Sequence, residues 1–274
     1  MTETLGKKRL AVLGAGKMGS ILLQAFLKSG LFAAENLSAT VAHPERAKAL
    51  ARQLNITVGC DNRAAVKTAD IVLLCVKPQA VKEVLQEIRD EMGRGQVVIS
   101  VAASVPTAYI EERLPDKVVV VRAMPNTPAM VGAGITGVCA GSCATAQHLH
   151  TACRLFETVG KTVTVDEKHM DAVTGLSASG PAFIYIVLES LAEAGVKVGL
   201  PRDLATLLAA QTTLGASRVV LETGSHPALL KDAVTTPAGC TIDGIMELEE
   251  GKLRVTLIKE VVKATQRAKE LLFA

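Results

Sequence analysis

The sequence lacks both a concentration of positive charge and long apolar runs. Lys and Arg total 30 against 27 Asp and Glu, so the formal net charge is only +3, and the basic residues are scattered. Nucleic-acid-binding proteins gather positive charge on one face, so we expect no nucleic-acid partner. Apolar runs such as residues 182–191 are shorter than the roughly 20 residues that cross a bilayer, which predicts no membrane contact.

The beginning of the sequence lacks a recognisable targeting signal. A strand-like segment follows almost at once in "MTETLGKKRLAVLGAG", without an apolar signal segment or an Arg-rich presequence before it. We therefore expect a soluble, cytoplasmic protein. In the reducing cytoplasm the six cysteines are not expected to form disulfides.

A converging set of metal ligands is also lacking. The candidate ligands that lie close together in sequence are Cys139, Cys143, His148, His150 and Cys153. In the helix that follows Ala144, Cys153 shares an apolar face with Phe156, whereas both histidines lie off that face. No four ligands have the spacing of a zinc site, so we favour structural packing and predict no metal.

Residues 1–165 contain a long alternation of strand and helix patterns. The length of 274 residues favours two domains. Strand-like runs are predicted at Arg9–Gly14, Leu37–His43, Ile56–Cys60, Asp70–Val76, Gln96–Ala102, Lys117–Arg122, Ile135–Ala140 and Thr162–Val165. Helical patterns separate the early runs, which predicts a parallel sheet covered on both faces. The N-terminal domain is therefore expected to be a doubly wound α/β sheet.

Strand patterns disappear over residues 166–274, where an all-helical domain is expected. Helices are predicted at Glu167–Thr174, Pro181–Gly195, Pro201–Thr223, Thr241–Glu250 and Leu253–Leu272. The stretch from Leu204 to Leu221 is apolar nearly all round, and such a helix must be enclosed by others. We predict that a second subunit supplies the enclosing helices, and burial against the first domain is the alternative.

A glycine-rich turn joins the first predicted strand to the first helix in "LAVLGAGKMGSIL". Gly14 permits the tight turn, Gly16 lets the backbone approach a pyrophosphate, and Gly19 allows the helix to pack closely on the strand. The helix N-terminus offers free N–H groups and a positive dipole end. The predicted dinucleotide-binding turn consists of Gly14, Ala15, Gly16, Lys17, Met18 and Gly19.

The end of the second predicted strand indicates which dinucleotide is preferred. An NAD-specific site places Asp or Glu there to accept the ribose 2′-hydroxyl, whereas "TVAHPERAK" has no acid before Glu45. His43 and Arg46 could instead hold a 2′-phosphate, although Arg46 could also be a solvated helix residue. We predict NADPH as the preferred cofactor and leave the use of NADH open.

Further candidate ligands follow later strands, at the edge where open parallel sheets bind ligands. They are Cys75, Val76, Lys77 and Pro78 after one strand, Val101, Ala102 and Ala103 after the next, and Asn126 between two prolines. Lys77 could neutralise a cofactor phosphate or be a solvated charge. The Asn126 amide could reach a nicotinamide carboxamide or form an Asx-turn with its own backbone.

The chain resembles the pyrroline-5-carboxylate reductase family in the motifs GAGKMG, CVKP, SVAAS, RAMPNTP, DAVTGLSASGPAF and LKDAVTTPAGCTIDG. The resemblance covers nearly the whole chain. It implies reduction of Δ1-pyrroline-5-carboxylate to L-proline with NAD(P)H, the last step of proline biosynthesis. It also implies a Rossmann-like N-terminal domain and a C-terminal helical dimerisation domain, with homodimers often assembled into decamers.

The resemblance assigns roles to residues whose motifs match. The glycine turn would hold the pyrophosphate, Asn62 and residues 76–78 would lie along the nucleotide, and residues 101–103 with Asn126 would face the nicotinamide. Thr241, the implied catalytic residue, would place its hydroxyl beside the ring nitrogen of the substrate. The implied substrate-binding residues are Glu167, Ser179, Gly180, Gly239, Cys240 and Thr241, with backbone N–H groups of 239–241 bound to the substrate carboxylate.

The segment "KDAVTTPAGCTIDG" contains neither histidine nor paired carboxylates, yet hydride transfer does not demand them. The cofactor carries the reactive hydride, and an imine that is already protonated needs no strong general acid. Judged from the residues alone, Thr241 is also a good helix N-cap. Similarly, the glycines around Ser177 and Ser179 are typical of tight helix packing.

Three positions depart from the family pattern. Ala238 stands where a glycine is frequent, which would restrict the backbone if its φ were positive. Cys240 is a small replacement that we expect to be tolerated. Ala233 replaces an Asn found in some members, so one polar contact could be missing.

Two other functions compete with this assignment. A β-hydroxyacid dehydrogenase shares the two-domain plan but places a catalytic lysine on the helix that enters the second domain, and Pro181–Glu193 contains no lysine. A non-catalytic NADPH sensor or scaffold would not need the polar, glycine-bearing loops at 175–181 and 237–244. Consumption of NADPH with the cyclic imine would discriminate among the three.

Overall fold

The structure, a computed structural model, describes residues 5–271. It contains two compact units: one holds the chain up to Ser179 and from Ala264 onward, and the other is Gly180–Lys263. The division falls later than the boundary at 165/166 that the change in sequence pattern suggested. The intervening segment belongs to the first unit, where Glu167 and Asp171 form ion pairs with Arg122.

The first unit is built on one eight-stranded sheet. Its strands are β1 (Leu10–Leu13), β2 (Leu37–Thr40), β3 (Thr57–Gly59), β4 (Ile71–Leu74), β5 (Val97–Ser100), β6 (Val119–Met124), β7 (Gly134–Ala140) and β8 (Gly160–Thr164). The order is β3-β2-β1-β4-β5-β6-β7-β8. The doubly wound α/β sheet is thus confirmed, with every predicted strand present.

One strand pair corrects the expectation of a parallel sheet. β7 runs antiparallel to β6, with Arg122 opposite Cys139, whereas the other neighbouring pairs are parallel. A parallel crossover requires a dozen or more residues. The connection at residues 125–133 is shorter than that, so the chain returns directly along the edge of β6.

Helices cover the sheet and then form the second unit. In the first unit they are α1 (Lys17–Lys28), α2 (Pro44–Leu54), α3 (Asn62–Lys67), α4 (Val81–Ile88), α5 (Thr107–Glu111), α6 (Ala146–Phe156) and α7 (Met170–Val173), followed by a π-helical turn at Thr174–Ala178. The later helices are α8 (Gly180–Lys197), α9 (Arg202–Thr223), α10 (Pro227–Ala233), α11 (Cys240–Glu250) and α12 (Leu253–Glu270). Leu272, the predicted end of α12, lies outside the described residues.

The continuous apolar strands arise because both faces of the sheet are buried. In β1, Leu10 and Val12 join one core, and Ala11 and Leu13 join the other. The first core includes side chains from α1 and the second includes side chains from α4. An alternation of apolar and polar residues would have exposed one face, so the sequence pattern and the two-sided core have the same cause.

The second unit leaves much apolar surface exposed in the single chain. α8 and α9 pack closely, since a Cβ at Gly195 would lie 2.8 Å from the Cβ of Ala205. In α9 only Ala205 and Ala209 are buried. The exposed large apolar residues of α9 are Leu204, Leu207, Leu208, Leu214, Val219 and Leu221. The helix therefore has the all-round apolar surface that its sequence indicated.

The helical stretch that contains residues 182–191 is longer than its apolar run, and both this stretch and α9 are long enough to span a bilayer, which corrects the expectation drawn from the length of the runs. The helical stretches Glu167–Lys197 and Arg202–Thr223 have the length and composition of candidate membrane spans. The first is longer than its apolar run because helix continues into the flanking polar residues. Length and composition alone are weak grounds for a membrane, since the core helix of a soluble protein can share them.

Ser104, in the loop after β5, has an unfavourable conformation that a substitution can test. Its φ is +64°, and within residues 5–271 its buried hydroxyl has no hydrogen-bond partner. Ser104→Gly should raise the free energy of unfolding by about 1–2 kcal/mol, because it removes left-handed strain and a buried unpaired hydroxyl. Ser104→Ala removes only the hydroxyl, so a smaller gain is expected. Urea unfolding measures both, and a loss of stability in Ser104→Gly would contradict this expectation.

Candidate active site

The glycine turn between β1 and α1 has one position that the protein itself requires to be glycine and a second where a side chain would be crowded. Gly14 has φ +80°, and a Cβ there would lie 2.5 Å from Cγ1 of Val76. At Gly19 a Cβ would approach the Gly14 carbonyl oxygen to 3.1 Å, so the helix packs closely on the turn. These are the tight-turn and close-packing roles expected from the sequence.

Gly16 is different, because the protein leaves space for a side chain there. A Cβ at Gly16 would have only the Gly14 carbonyl oxygen within 4 Å, at 3.9 Å. Gly16 is the N-cap residue of α1, and in the described part of the chain no side chain caps this helix end. The first-turn N–H groups of Lys17, Met18 and Gly19 therefore remain available to an anion. Open space beside free N–H groups fits a dinucleotide pyrophosphate.

A series of hydrogen bonds joins the glycine turn to β2, α3 and α4. The Gly14 N–H donates to the Thr40 carbonyl oxygen at 3.1 Å and to its Oγ1 at 3.3 Å. The Thr40 hydroxyl donates to Asn62 Oδ1 at 2.6 Å, and Asn62 Nδ2 donates to Glu87 Oε2 at 2.7 Å. Asn62, a predicted cofactor ligand, thus has both ends of its amide engaged by the protein, at the first position of α3.

His43 and Arg46 lie at the start of α2, immediately after β2. His43 is the N-cap residue and is exposed. Arg46 is also exposed, and its guanidinium donates to the carbonyl oxygen of Ala15 at 3.2 Å. The bond brings a fixed positive charge beside the glycine turn, so Arg46 is more than a solvated helix residue.

The segments after β4 and β5 reach the same edge of the sheet. The Cys75 N–H donates to the carbonyl oxygen of Leu13, and the Val101 N–H donates to the carbonyl oxygen of Leu74. These bonds extend the sheet to the first residue of each loop. Burial raises the pKa of the Cys75 thiol to about 12, so the thiol is uncharged near neutral pH. Lys77 is exposed and precedes the short 3-10 turn Pro78–Ala80. Ala102 is buried, and its neighbours Val101 and Ala103 are half-buried.

Asn126 follows β6, and its amide joins two other segments. Its Oδ1 accepts the N–H of Ile135 at 3.0 Å, and its Nδ2 donates to the carbonyl oxygen of Ser177 at 3.2 Å. These partners are far along the chain, so the side chain does not form the Asx-turn considered from the sequence. Asn126 instead links the start of β7 to the π-helical turn.

The structure brings Glu167 to Thr107 and Arg122. Glu167 accepts the N–H of Thr107 at 2.7 Å and its hydroxyl at 2.6 Å, while Arg122 Nη1 lies 3.5 Å from Glu167 Oε1. Arg122 Nη2 lies 3.4 Å from Asp171 Oδ1. The Glu167 side chain is 31% exposed and Arg122 only 4%. Both Glu167 carboxylate oxygens therefore have partners within the first unit.

In the second unit, the N-terminus of α11 presents the implied substrate-binding residues. Gly239 is the N-cap residue, Cys240 begins the helix and Thr241 follows it. Among residues 5–271 no side chain caps this end, so the N–H groups of its first turn are available to an anion. Thr241 does not occupy the N-cap position, and the alternative role considered for it from the sequence is wrong.

Ala238, just before this helix, has the positive φ that its departure from glycine made a concern. Its φ is +56°. A non-glycine residue in this region costs about 1–2 kcal/mol. A Cβ at the next residue, Gly239, would lie 2.4 Å from Oγ1 of Thr236. A side chain at 239 would therefore displace the Thr236 hydroxyl, whereas Ala238 holds the loop with some strain.

The glycines near Ser177 and Ser179 play unequal roles. A Cβ at Gly175 would lie 2.2 Å from Oγ1 of Thr265, so close packing is confirmed there. Ser179 ends the π-helical turn by donating its N–H to the Thr174 carbonyl oxygen. Gly180 begins α8, and nothing lies within 4 Å of a Cβ built on it.

Two members of the cysteine and histidine cluster, His148 and Cys139, occupy structural positions. The Thr145 N–H donates to His148 Nδ1 at 3.1 Å at the start of α6. Cys139 is buried in β7, where burial and then the charge of Glu167 raise the pKa of its thiol to about 12. Over residues 5–271 no group of three or more His, Cys, Asp or Glu side chains could hold a metal ion.

Three polar residues of the site were missed by the sequence interpretation. Thr40 and Glu87 complete the chain beneath the glycine turn, and Arg122 pairs with Glu167. Arg122 carried a usable signal, because a charged residue inside the apolar strand VVVRAM demands a buried partner. Thr40 and Glu87 carried none, since each is ordinary for its element.

The carboxyl edge of the sheet and the free α1 N-terminus define a class of protein, the NAD(P)-dependent oxidoreductases with a doubly wound fold. A family model described as NADP oxidoreductase, coenzyme F420-dependent, matches residues 9–104. A second model, described as pyrroline-5-carboxylate reductase dimerisation, matches residues 167–271.

Relatives over the full length show the family. The chain is 45% identical over 264 residues to a pyrroline-5-carboxylate reductase of Methanosarcina acetivorans, covering 96% of this chain and 98% of the relative. It resembles the solved structure of a pyrroline-5-carboxylate reductase from Coxiella burnetii with a TM-score of 0.89, 34% identity and coverage of 96% and 98%. The enzyme from Plasmodium falciparum, solved with NADP bound, gives 0.88 at 28% identity and the same coverage. The chain belongs to the pyrroline-5-carboxylate reductase family.

Proposed function

We propose that the first unit binds NADPH along the carboxyl edge of its sheet and that the N-terminus of α11 binds the substrate. The protein is an NAD(P)H-dependent oxidoreductase that reduces Δ1-pyrroline-5-carboxylate to L-proline, the last step of proline biosynthesis. The observation that carries the assignment of the substrate-binding residues is the uncapped α11 N-terminus, with Thr241 in the second helical position. It offers N–H donors to a carboxylate and a hydroxyl to a ring nitrogen.

The reaction asks the chain for binding and orientation rather than for a strong acid or base. NADPH supplies the hydride when bound. The first-turn N–H groups of α1 bind its pyrophosphate, and the N–H groups of α11 bind the substrate carboxylate. The Thr241 hydroxyl orients the ring nitrogen of the protonated imine, and the proton stays on that nitrogen in proline. Positioning of this kind can account for about 7–11 kcal/mol of the barrier in well-aligned cases.

The assignment is tested by following the absorbance of NADPH, which falls when an imine or ketoacid is reduced and rises when a hydroxyacid is oxidised with NADP⁺. Δ1-pyrroline-5-carboxylate, hydroxyacids with NADP⁺, and ketoacids are offered separately to the purified protein. Turnover only with the cyclic imine supports the proposal, whereas turnover with a hydroxyacid would favour the dehydrogenase alternative. NADPH binding without turnover of any of them would favour a sensor or scaffold.

We propose that Arg46 carries the preference for NADPH over NADH. Its guanidinium is fixed beside the glycine turn by the carbonyl oxygen of Ala15, and the end of β2 offers no carboxylate to a ribose 2′-hydroxyl. Arg46→Ala should lower kcat/KM for NADPH about ten-fold, the loss of one charge-assisted contact, and change kcat/KM for NADH by less than about two-fold.

Lys48→Ala is the matched control for Arg46, because Lys48 lies on the same helix and pairs only at the surface with Glu45. Its cofactor ratio should stay that of the unaltered protein. Equal kcat/KM for NADPH and NADH in the unaltered protein would contradict the proposed preference.

We further propose a homodimer formed through the helical unit, with dimers assembled into decamers. The leucines of α9 are exposed in the single chain, and an apolar surface of this kind normally meets a partner. A bilayer is a poor alternative, since α9 carries the exposed ion pair of Arg218 with Glu222. The protein is then cytoplasmic, and ultracentrifugation without detergent distinguishes dimer, decamer and aggregate.

A further inference from the structure

We propose that Arg122 is a positioning residue for hydride transfer, acting through Glu167 and Asp171 on the loop at residues 101–103 and on Asn126. The inference rests on the proposed function and on the family resemblance, which implies that the nicotinamide lies beside those two segments. It gives Glu167 a positioning role in place of the direct substrate contact that the resemblance implied.

Arg122, Glu167 and Asp171 form a cluster around a buried positive charge, that of the Arg122 guanidinium. Removing such a charge from water costs free energy. The Arg122 side chain is 4% exposed in β6, between apolar neighbours, and within the described chain its Nε has no hydrogen-bond partner. A buried guanidinium is tolerated only when carboxylates compensate it. Glu167 and Asp171 provide this compensation at 3.5 and 3.4 Å. An apolar residue would fill the same strand position without that requirement.

Through Glu167 the cluster fixes the loop that follows β5. Thr107 is the first residue of α5, and the N-cap residue before it is Pro106, which provides no side-chain cap. The Glu167 carboxylate takes over this function by accepting both the N–H and the hydroxyl of Thr107. The chain from Val101 to Thr107 is thereby held at both ends, at β5 and at Glu167.

Through Asp171 the cluster fixes the segment that contacts Asn126. Asp171 belongs to α7, which continues directly into the π-helical turn Thr174–Ala178. The carbonyl oxygen of Ser177 in that turn accepts a hydrogen bond from Asn126 Nδ2 at 3.2 Å. Asn126 itself follows the strand that carries Arg122. One guanidinium, buried in β6, therefore orients both segments expected at the nicotinamide end.

Arg122→Met tests this role, because it removes the charge and keeps a long side chain. The Glu167 and Asp171 side chains are 31% and 27% exposed, so water can solvate them in the variant. We expect kcat to fall about ten-fold, with the Kd for NADPH changed by less than about three-fold. The isotope effect with 4-deuterated NADPH should rise, because hydride transfer becomes slower relative to other steps.

Arg154→Met is the matched control, since Arg154 is exposed on α6 and forms no ion pair within residues 5–271. It should leave kcat unchanged. Thr107→Val is a milder variant that removes only the hydroxyl bond to Glu167, and it should lower kcat about three-fold. Arg122→Lys keeps the charge and should recover part of the activity.

The outcomes separate this proposal from the proposed function. If the unaltered enzyme reduces the imine while Arg122→Met and Thr107→Val keep its kcat and isotope effect, the positioning role is overturned and Arg122 serves stability alone. A lowered Tm in Arg122→Met with unchanged kcat overturns the positioning role in the same way. If the unaltered enzyme leaves the imine untouched, the proposed function fails, and this role fails with it.

Discussion

Gly16→Ala should weaken NADPH binding about 100-fold and leave the protein folded. A Cβ at this position would enter space that the protein leaves open beside the α1 N-terminus. The proposed occupant of that space is the pyrophosphate, which would be pushed away from the N–H groups of Lys17 and Met18. The loss of two charge-assisted hydrogen bonds corresponds to roughly 3 kcal/mol. Titration of NADPH fluorescence gives the Kd, and thermal unfolding gives the Tm.

Two other glycines provide the controls for this result. Gly14→Ala should lower the Tm, because its φ is +80° and its Cβ would meet Val76 at 2.5 Å. Gly93→Ala should change neither Kd nor Tm appreciably, since a Cβ there meets nothing within 4 Å. If Gly16→Ala binds NADPH as tightly as the unaltered protein does, the pyrophosphate does not lie on this turn.

Thr241→Ala should lower kcat/KM for the imine at least about ten-fold, which is the loss of one positioned hydrogen bond. The residue occupies the second helical position of α11, and Gly239 occupies the N-cap. Its hydroxyl is therefore not needed to cap the helix N-terminus, and the Tm of the variant should stay close to that of the unaltered protein. Steady-state kinetics with saturating NADPH measures the effect.

Thr241→Ser is the matched control, because it retains the hydroxyl and should retain most of the activity. The pair separates hydrogen bonding from the packing of the methyl group. Unchanged kinetics in Thr241→Ala would remove Thr241 from the catalytic site. A lowered Tm with unchanged kinetics would indicate that the residue serves the helix after all.

The sequence was sufficient to predict the sheet, because its signal is local. Strands buried on both faces must be continuously apolar, as β1 and β4 are, whereas the partly exposed strands β3 and β8 were recognised from short runs rich in Val and Thr. The direction of β7 was not predictable from its composition, since the same residues suit either pairing. It follows instead from the length of the connection at 125–133. Helix α10 was missed because its seven residues are too few to establish a helical period.

The candidate site was predicted less completely, because its hydrogen bonds join residues that are distant in sequence. The sequence pattern singled out Asn126 and the family resemblance implied roles for Asn62 and Glu167, but neither indicated the partners that engage these side chains. The sequence also did not show where α11 begins. Thr241 resembled an N-cap residue, whereas in the structure Gly239 occupies the N-cap position. The sequence indicated that Ala238 would restrict the backbone if its φ were positive, and the structure shows that its φ is positive.

The most direct test of the account is to follow the hydride itself. The unaltered enzyme is incubated with 4-deuterated NADPH and Δ1-pyrroline-5-carboxylate, and the product is analysed by mass spectrometry and NMR. The account predicts proline with one deuterium at ring carbon 5, formed stoichiometrically with NADP⁺. Bound NADPH with no deuterated proline would contradict it.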